Sequence, residues 1–144
     1  MRHFVDEVRA QLERDAEKAR ATTQCKRRGT MSRLCMQLGE KLMPGEYAIN
    51  GNSSCTGVEG KCGCPHAEQR LIVRLLRDRA ASFEQMILLT TLEPCVQCAN
   101  LIILSGIKRV AWLSPYSDSL GRVILANGGV RCIDVSSPFY NSTV

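Results

Sequence analysis

The fold of this chain is constrained most by a His-x-Glu motif and, further along, a Pro-Cys-x-x-Cys motif. His66, Cys95 and Cys98 are side chains that bind zinc, whereas Glu68 is an acid outside that ligand set. Zinc prefers four tetrahedral ligands, so a site with three protein ligands keeps its fourth position for water. The chain must therefore fold so that these four side chains converge, and together they are typical of a reaction centre.

The His-x-Glu motif sets a strict geometric condition. Residues two apart are separated by about 200° around a helix, so His66 and Glu68 would diverge in the middle of one. They converge only in a first turn, where side chains lean toward the N-terminus. Pro65 directly precedes them and is a helix-start signal. We therefore predict that a helix begins at this motif.

The Pro-Cys-x-x-Cys motif predicts a second helix start. Cys95 and Cys98 are three residues apart, so they share one helical face if Pro94 opens the helix. The positive end of a helix also favours thiolates. A competing interpretation is a closed structural site with Cys62 or Cys64 as the fourth ligand. That site gives no reason for the acid or for the two prolines.

Length and cysteine content favour one intracellular domain. A chain of 144 residues can bury a core of its own, so we expect a single domain spanning 1–144, with a tail at about 136–144 of unknown role. There is no run of eighteen apolar residues, and the N-terminus lacks a signal-peptide stretch, which predicts a cytoplasmic protein without a membrane partner. In that compartment, eight cysteines are metal ligands or buried thiols rather than disulfides.

Charge and aromatic content bear on the partner. The net charge is +5, and the densest basic cluster consists of Lys26, Arg27, Arg28 and Arg33. Such a cluster can meet a phosphate on a nucleotide or a nucleic acid, or it can be a solvated loop. Aromatic residues make up only 5% of the chain, which argues against a stacking platform for long single strands.

The N-terminal part of the chain predicts one helix and a hairpin. A helix from about residue 4 to 21 is indicated by an apolar stripe made of Phe4, Val8, Leu12, Ala16 and Ala19. A first strand around residues 31–36 follows. Pro44-Gly45 is interpreted as the turn that leads into a second strand at 47–49.

The rest of the chain alternates more regularly. The helix after the His-x-Glu motif carries arginines at 70, 74, 77 and 79, and an opposite apolar face made of Ala67, Leu71, Ile72, Leu75 and Leu76. Strands are predicted at 86–91, 110–113 and 130–135, and helices at 95–104 and 120–127. This alternation predicts an α/β domain whose sheet is covered on both faces, with both motifs at the edge where ligands bind.

Three stretches carry a family resemblance, namely Cys64–Gln69, Thr91–Ala99 and Leu101–Val110. On these, the sequence over residues 25 to 135 resembles the zinc-dependent cytidine deaminase superfamily, most of all its deoxycytidylate (dCMP) deaminase branch. The resemblance implies a three-layer fold with a central mixed sheet of about five strands. It also implies a homo-oligomer that converts dCMP to dUMP and ammonia, in which zinc activates water and Glu68 shuttles protons.

The resemblance implies four substrate contacts. Asn50 would contact the sugar or base, Tyr116 would line the pocket, and Arg27 would meet the phosphate. Ala67 would also be a substrate-binding residue. Asn-Gly is also a common turn dipeptide, and a tyrosine after a proline also fits a surface rim. After Asn50-Gly51 the family often has a proline and a glycine, whereas this chain has residues 52–54 as Asn-Ser-Ser.

A second zinc is implied by the same resemblance. Some members of the branch carry a structural zinc, and Cys25 and Cys55 match positions of its ligands. Cys62 and Cys64 would complete a tetrahedral set. The alternative is that these are inert thiols in a loop.

Other functions remain open at this point. The Thr91–Cys95 stretch also resembles tRNA adenosine deaminases, so a deaminase of tRNA or single-stranded DNA is an alternative, as is one of free nucleosides. A non-catalytic zinc-stapled binding module is an alternative of another class. Such a module would tolerate the loss of Glu68, whereas a deaminase would not.

Overall fold

The computed structural model describes residues 2–78, 83 and 85–136, which form one five-stranded sheet with helices on both faces. Arg79 and the tail beyond Ser136 lie outside the described residues. The helices are α1 (Arg2–Thr22), α2 (Ala67–Arg77), α3 (Val96–Ser105) and α4 (Leu120–Asn127). The strands are β1 (Met31–Leu38), β2 (Lys41–Ile49), β3 (Met86–Leu92), β4 (Arg109–Ser114) and β5 (Arg131–Asp134).

The sheet is mixed, with the strand order β2-β1-β3-β4-β5. β1 pairs antiparallel with β2 and β3, whereas β3, β4 and β5 run parallel. The carboxyl ends of the three parallel strands therefore meet at one edge, which is where α/β sheets bind ligands. The predicted α/β architecture is confirmed.

Two hydrophobic clusters hold the layers together. On one face, α1 packs its predicted stripe against the sheet, and all five stripe residues are buried. On the other face, α2, α3 and α4 pack around Trp112 and Leu88, which are both almost fully buried. Most of the stability comes from burying these apolar faces.

The predicted hairpin is present, but its turn was placed wrongly. The chain reverses at Gly39-Glu40, where Gly39 has a φ of 63°, and Pro44-Gly45 lies inside β2. β2 is an edge strand of the sheet, where a proline costs no ladder hydrogen bond. The β1–β2 register shifts between Arg33 and Cys35, opposite this dipeptide. Pro44-Gly45 therefore marks a strand irregularity rather than the reversal.

The apolar face of α2 is narrower than predicted. Leu76 is 50% exposed, because at about 100° per residue it falls outside the arc that runs from Ala67 to Ile72. Glu68 falls inside that arc and is buried with the apolar residues. The helix therefore carries an acid into the core side of the sheet.

Candidate functional site

The two zinc-type cysteines lie at the start of α3, directly after β3. Cys95 is the N-cap, with an extended backbone (φ −72°, ψ 174°), and Cys98 follows in the first turn. Pro94 therefore precedes the N-cap rather than occupying the first helical position. The predicted helix is present, but it begins at Val96, one residue later than predicted, so Cys95 lies just before it.

The histidine occupies the same position at the start of α2. His66 is the N-cap with φ −73° and ψ 154°, and its backbone N–H donates to Gln69 Oε1 at 2.8 Å. Because His66 is extended rather than helical, the 200° separation from Glu68 does not apply, and both side chains turn to the same site. Pro65 again lies one residue before the cap.

His66, Cys95 and Cys98, here called the His-Cys cluster, fit a tetrahedral zinc site. His66 Nδ1 lies 3.3 Å from Cys98 Sγ and 3.5 Å from Cys95 Sγ. Zinc–nitrogen and zinc–sulfur bonds of ordinary length at a tetrahedral angle put the two ligand atoms about 3.6 Å apart. These three side chains could hold one zinc ion and leave a fourth position open.

Hydrogen bonds within this cluster shift the pKa values of all three side chains. A hydrogen bond from the Cys98 thiol, with further help from His66, lowers the pKa of Cys95 to about 4. The neighbouring Cys95 thiolate and burial raise the pKa of Cys98. The hydrogen bond with Cys95 also raises the pKa of His66. A cation bound among them would displace the protons that remain.

Glu68 lies beside the cluster and is 6% exposed. Burial raises its pKa, while the charge of His66 opposes this shift. Its Oε1 atom lies 3.2 Å from Ser32 Oγ, which lies 3.0 Å from Thr90 Oγ1. A carboxyl group in this setting can hold a proton and release it at a fixed place.

Sequence reasoning missed Ser32. It lies directly opposite Thr90 in the antiparallel β1–β3 pair, and both are fully buried. A buried polar group needs a hydrogen-bond partner, so the two hydroxyls and the Glu68 carboxyl satisfy one another. The sequence signal for this pair is weak, because β1 and β3 carry other polar residues besides Ser32 and Thr90.

A pocket of about 160 Å³ opens onto His66, Glu68 and Cys95. This is below the volume of about 300 Å³ at which pockets for larger ligands begin, so it fits one ring with the rest of a ligand outside. Its walls are formed by Cys25, Arg27, Arg28, Thr30, Asn50, Cys62, Cys64, His66, Glu68, Leu92, Glu93, Cys95 and Tyr116. Thr30, Leu92 and Glu93 had no predicted role, although Leu92 and Glu93 lie in the Thr91–Ala99 stretch that carries the family resemblance.

Three of the four predicted substrate contacts line this pocket, namely Asn50, Arg27 and Tyr116. Ala67 does not, because its side chain is fully buried. As the first residue of α2 it presents a backbone N–H that the helix does not use. Arg27 lies 3.6 Å from the exposed Glu59. All four contacts stay predictions.

Asn50 is also a structural residue. Its Oδ1 accepts from Thr30 N–H at 2.9 Å and from Thr23 Oγ1 at 3.0 Å, and its Nδ2 donates to Arg28 O at 2.7 Å. One N–H of the side-chain amide is left for another partner. Asn50 therefore ties the segment that leads into β1 to the pocket wall.

Arg33 does not belong to the pocket, although the sequence groups it with the basic residues. Its guanidinium forms two hydrogen bonds with Asp15 of α1, at 2.9 and 3.0 Å. Both side chains are largely buried. This ion pair fixes α1 to β1, so only Arg27 and Arg28 of the basic cluster line the pocket.

Cys25, Cys55, Cys62 and Cys64, here called the four-cysteine cluster, have sulfurs that all lie within 4.8 Å of one another. The sulfurs of Cys25 and Cys55 are 4.0 Å apart, close to the separation of about 3.8 Å expected around tetrahedral zinc. The Lys26 backbone N–H donates to Cys55 and lowers its pKa to about 7. Burial raises the pKa of Cys64 to about 12.

Within the described part of the chain, no helix is both long and apolar enough to cross a membrane.

Comparisons with known proteins agree with this geometry. Residues 14–114 match the family model described as cytidine and deoxycytidylate deaminase zinc-binding region. This match and the cysteine and histidine clusters fit zinc as the cofactor. Comparison with curated proteins gives no match.

Several solved structures share the fold. A dCMP deaminase from cyanophage S-TIM5, in complex with dCMP and dUMP, is 22% identical with a TM-score of 0.70, and the match covers 87% of this chain and 93% of that one. A diaminohydroxyphosphoribosylaminopyrimidine deaminase/reductase from Thermotoga maritima is 22% identical with a TM-score of 0.65, covering 94% and 37%. A guanine deaminase from Nitrosomonas europaea is 15% identical with a TM-score of 0.53, covering 91% and 74%. The predicted three-layer fold with a mixed five-stranded sheet is confirmed.

Proposed function

The chain belongs to the cytidine and deoxycytidylate deaminase zinc-binding family and is a zinc-dependent deaminase, and on that premise we propose that it converts dCMP to dUMP and ammonia. The observation that carries the proposal is the position of two arginines, Arg27 and Arg28, on the wall of the pocket that holds the His-Cys cluster and Glu68. A base in the pocket would place a phosphate at its mouth, where a guanidinium binds phosphate well.

The residue roles that we propose are those of the deaminase chemistry, and the arrangement of the site supports them. His66, Cys95 and Cys98 would hold the zinc, which, when bound, would supply a Lewis acid that activates a water molecule for attack on the ring carbon bearing the amine. Two thiolates offset the charge of the ion, so help from a base is needed. Glu68 takes the proton from the water.

Glu68 then returns protons to the substrate. It gives the first proton to the ring nitrogen next to the attacked carbon. It then takes the remaining proton from the hydroxyl group on that carbon and gives it to the amine, which leaves as ammonia while the C=O bond forms. A single carboxyl group can do both because burial and the hydroxyl of Ser32 hold it in one place. Because burial raises the pKa of Glu68, its carboxyl group can be protonated at a pH closer to neutral. This suits a group that must accept and donate a proton in turn.

The four-cysteine cluster would bind a second, structural zinc. Four thiolates complete a tetrahedral set and leave no open position, which is the pattern of structural zinc. The four residues come from two loops, at Cys25 and at 55–64, so an ion held by all four would join the two loops. We propose that this ion fixes the pocket wall to which Cys25, Cys62 and Cys64 contribute.

A polynucleotide substrate is the second candidate. Arg70, Arg74 and Arg77 recur along α2 and line an open groove of about 440 Å³. None of these three arginines takes part in an ion pair between described residues. Arg70 and Arg74 donate hydrogen bonds to backbone carbonyls. A basic track of this kind suits the phosphates of a single strand whose target base enters the pocket.

An ammonia-release assay separates these candidates. The substrates are dCMP, CMP, deoxycytidine, dCTP, adenosine-containing RNA and single-stranded DNA. We expect turnover of dCMP above all others, and weaker turnover of deoxycytidine because it lacks the phosphate. If dCMP is inert while another substrate reacts, the substrate assignment is wrong and the chemistry at Glu68 stands.

Replacing both Arg27 and Arg28 by Gln tests the phosphate contact directly. The KM for dCMP should rise while the KM for deoxycytidine stays the same. A matched control is Arg131→Gln, an exposed arginine on β5.

A further inference from the structure

One arginine joins the ends of the parallel strands at the edge that carries the site. Arg122 of α4 donates from Nη2 to Glu93 Oε1 at 2.6 Å and to Asp134 Oδ2 at 3.2 Å. Glu93 follows the end of β3, and Asp134 is the last residue of β5. The guanidinium also lies 5.1 Å from the ring centre of Trp112, in β4 between them. A guanidinium suits this task because its fork of donors can meet several partners at once.

Glu93 connects this arginine to the pocket in two ways. Along the chain it immediately precedes Pro94 and Cys95, which form the turn into α3. Across the sheet, its Oε1 accepts a hydrogen bond from the backbone N–H of Tyr116 at 3.4 Å. Both Cys95 and Tyr116 line the pocket. A shift of the Glu93 carboxylate would therefore also displace Cys95, a proposed zinc ligand, and Tyr116 at the pocket rim.

Burial makes Glu93 dependent on Arg122. The Glu93 side chain is fully buried, and among ion pairs of described residues Arg122 is its only cation. Its second oxygen, Oε2, has no hydrogen-bond partner among those residues. A buried carboxylate that loses its one cation is left uncompensated and must move toward water, which disturbs the groups bonded to it.

Gly121, next to Arg122, adds a steric restraint on the same turn. A Cβ atom at this position would lie 2.1 Å from Pro94 O, so the start of α4 is pressed directly against the start of α3. Two consecutive residues of α4 thus hold the Pro94–Cys95 turn, one by close packing and the other through Glu93. This second contact is independent of the ion pair.

We propose that Arg122 is a positioning residue of the active site, which acts through Glu93 to hold Cys95 and Tyr116 in place. It does not touch the substrate. The proposal rests on the proposed function to the extent that Cys95 binds zinc and Tyr116 lines the substrate pocket. Its role is distinct from that of Arg33, which also pairs with a buried carboxylate, Asp15, but joins α1 to β1 away from the pocket.

This contrast supplies the test, with the variants Arg122→Gln, Arg122→Lys and, as the matched control, Arg33→Gln. Each zinc-loaded variant is compared with wild type in KM for dCMP, in the rate of zinc transfer to a chromogenic chelator, and in amide hydrogen exchange of residues 114–119. Thermal unfolding is measured alongside, because both glutamine variants remove the cation that pairs with a buried carboxylate and should lower the Tm.

Arg122→Gln should raise KM by about tenfold, equivalent to about 1.4 kcal/mol, and should speed both zinc transfer and exchange at 114–119. Arg122→Lys keeps the positive charge and should recover most of the loss. Arg33→Gln should lower Tm while leaving KM, zinc transfer and exchange at 114–119 near wild type.

The proposal is overturned if Arg122→Gln changes KM no more than Arg33→Gln does, since Arg122 would then serve stability alone. If wild type turns over a different substrate, KM is measured for that one. If wild type turns over none, the proposed function fails by itself, and unchanged zinc transfer in Arg122→Gln overturns the positioning role separately.

Discussion

The His-Cys cluster and the four-cysteine cluster border the same pocket, yet they are built differently. The first offers three ligands with the buried acid Glu68 beside them, and the second offers four thiols with no acid. Three ligands leave an open position on zinc, whereas four thiolates close it. The difference indicates chemistry at one cluster and structure at the other.

The two clusters also differ in what holds them. His66 and Cys95 are N-caps of helices that pack on the sheet, so their places are set by the hydrophobic core. The four cysteines lie on loops, where hydrogen bonds such as Lys26 N–H to Cys55 Sγ are the local restraints. The His-Cys cluster should therefore be formed before an ion binds, while the four-cysteine cluster should depend on its ion for order.

The largest expected effect tests whether the His-Cys cluster, and not the four-cysteine cluster, carries the chemistry. We expect Cys98→Ser to lose one zinc per chain and all measurable turnover, because Cys98 is one of only three zinc ligands proposed for this site. Zinc content by atomic spectroscopy and ammonia release check this. Cys132→Ala, a cysteine outside both clusters, is the control and should keep both properties. Full turnover in Cys98→Ser would remove the site from the mechanism.

A second, smaller effect should separate the acid from the ligands. Glu68→Gln should reduce kcat by about 10²- to 10⁴-fold, the usual contribution of general acid–base catalysis, while zinc content is unchanged. Glu13→Gln, on the exposed side of α1, is the matched control and should behave as wild type. A Glu68→Gln variant that loses zinc together with activity would instead make Glu68 part of the metal site.

A still smaller effect is expected from Ser32, which holds the acid. Ser32→Ala removes a hydrogen bond to Glu68 and should lower kcat by about five- to tenfold, in line with roughly 1 kcal/mol for a buried hydrogen bond. Steady-state kinetics at saturating zinc measure this. Thr90→Val removes the neighbouring hydroxyl without touching Glu68 and should have less effect on kcat. Equal losses in both variants would show that only packing matters.

The smallest effect on turnover should come from the four-cysteine cluster. Cys55→Ser should remove one zinc per chain and lower the Tm, because a structural zinc contributes directly to folding, while the zinc-loaded active site retains most of its kcat. Zinc stoichiometry and thermal unfolding are the measurements. A stoichiometry of one in wild type that is unchanged in Cys55→Ser would sink the second zinc, and a kcat as low as that of Cys98→Ser would erase the distinction between the clusters.

Local signals in the sequence predicted much of this fold. The α1 stripe, the start of a helix at each proline motif, and the alternation after residue 86 are patterns within one element, so spacing alone predicts them correctly. The predicted turn at Pro44-Gly45 was wrong because a proline on an edge strand follows sheet position, which sequence does not show. Leu76 was wrongly assigned to the apolar face because the width of that face depends on what packs against it.

By itself, the sequence determined which side chains the site has to offer, since the residue types and spacing of His66, Glu68, Cys95 and Cys98 are those of zinc ligands and an acid. Only the tertiary structure decided which other residues serve them. Strand pairing places Ser32 beside Glu68, and the packing of α4 on the sheet places Arg122 beside Glu93. Arg33 pairs with Asp15 instead of lining the pocket. Such contacts join residues far apart in the chain, and they are set by how the layers pack rather than by any local pattern.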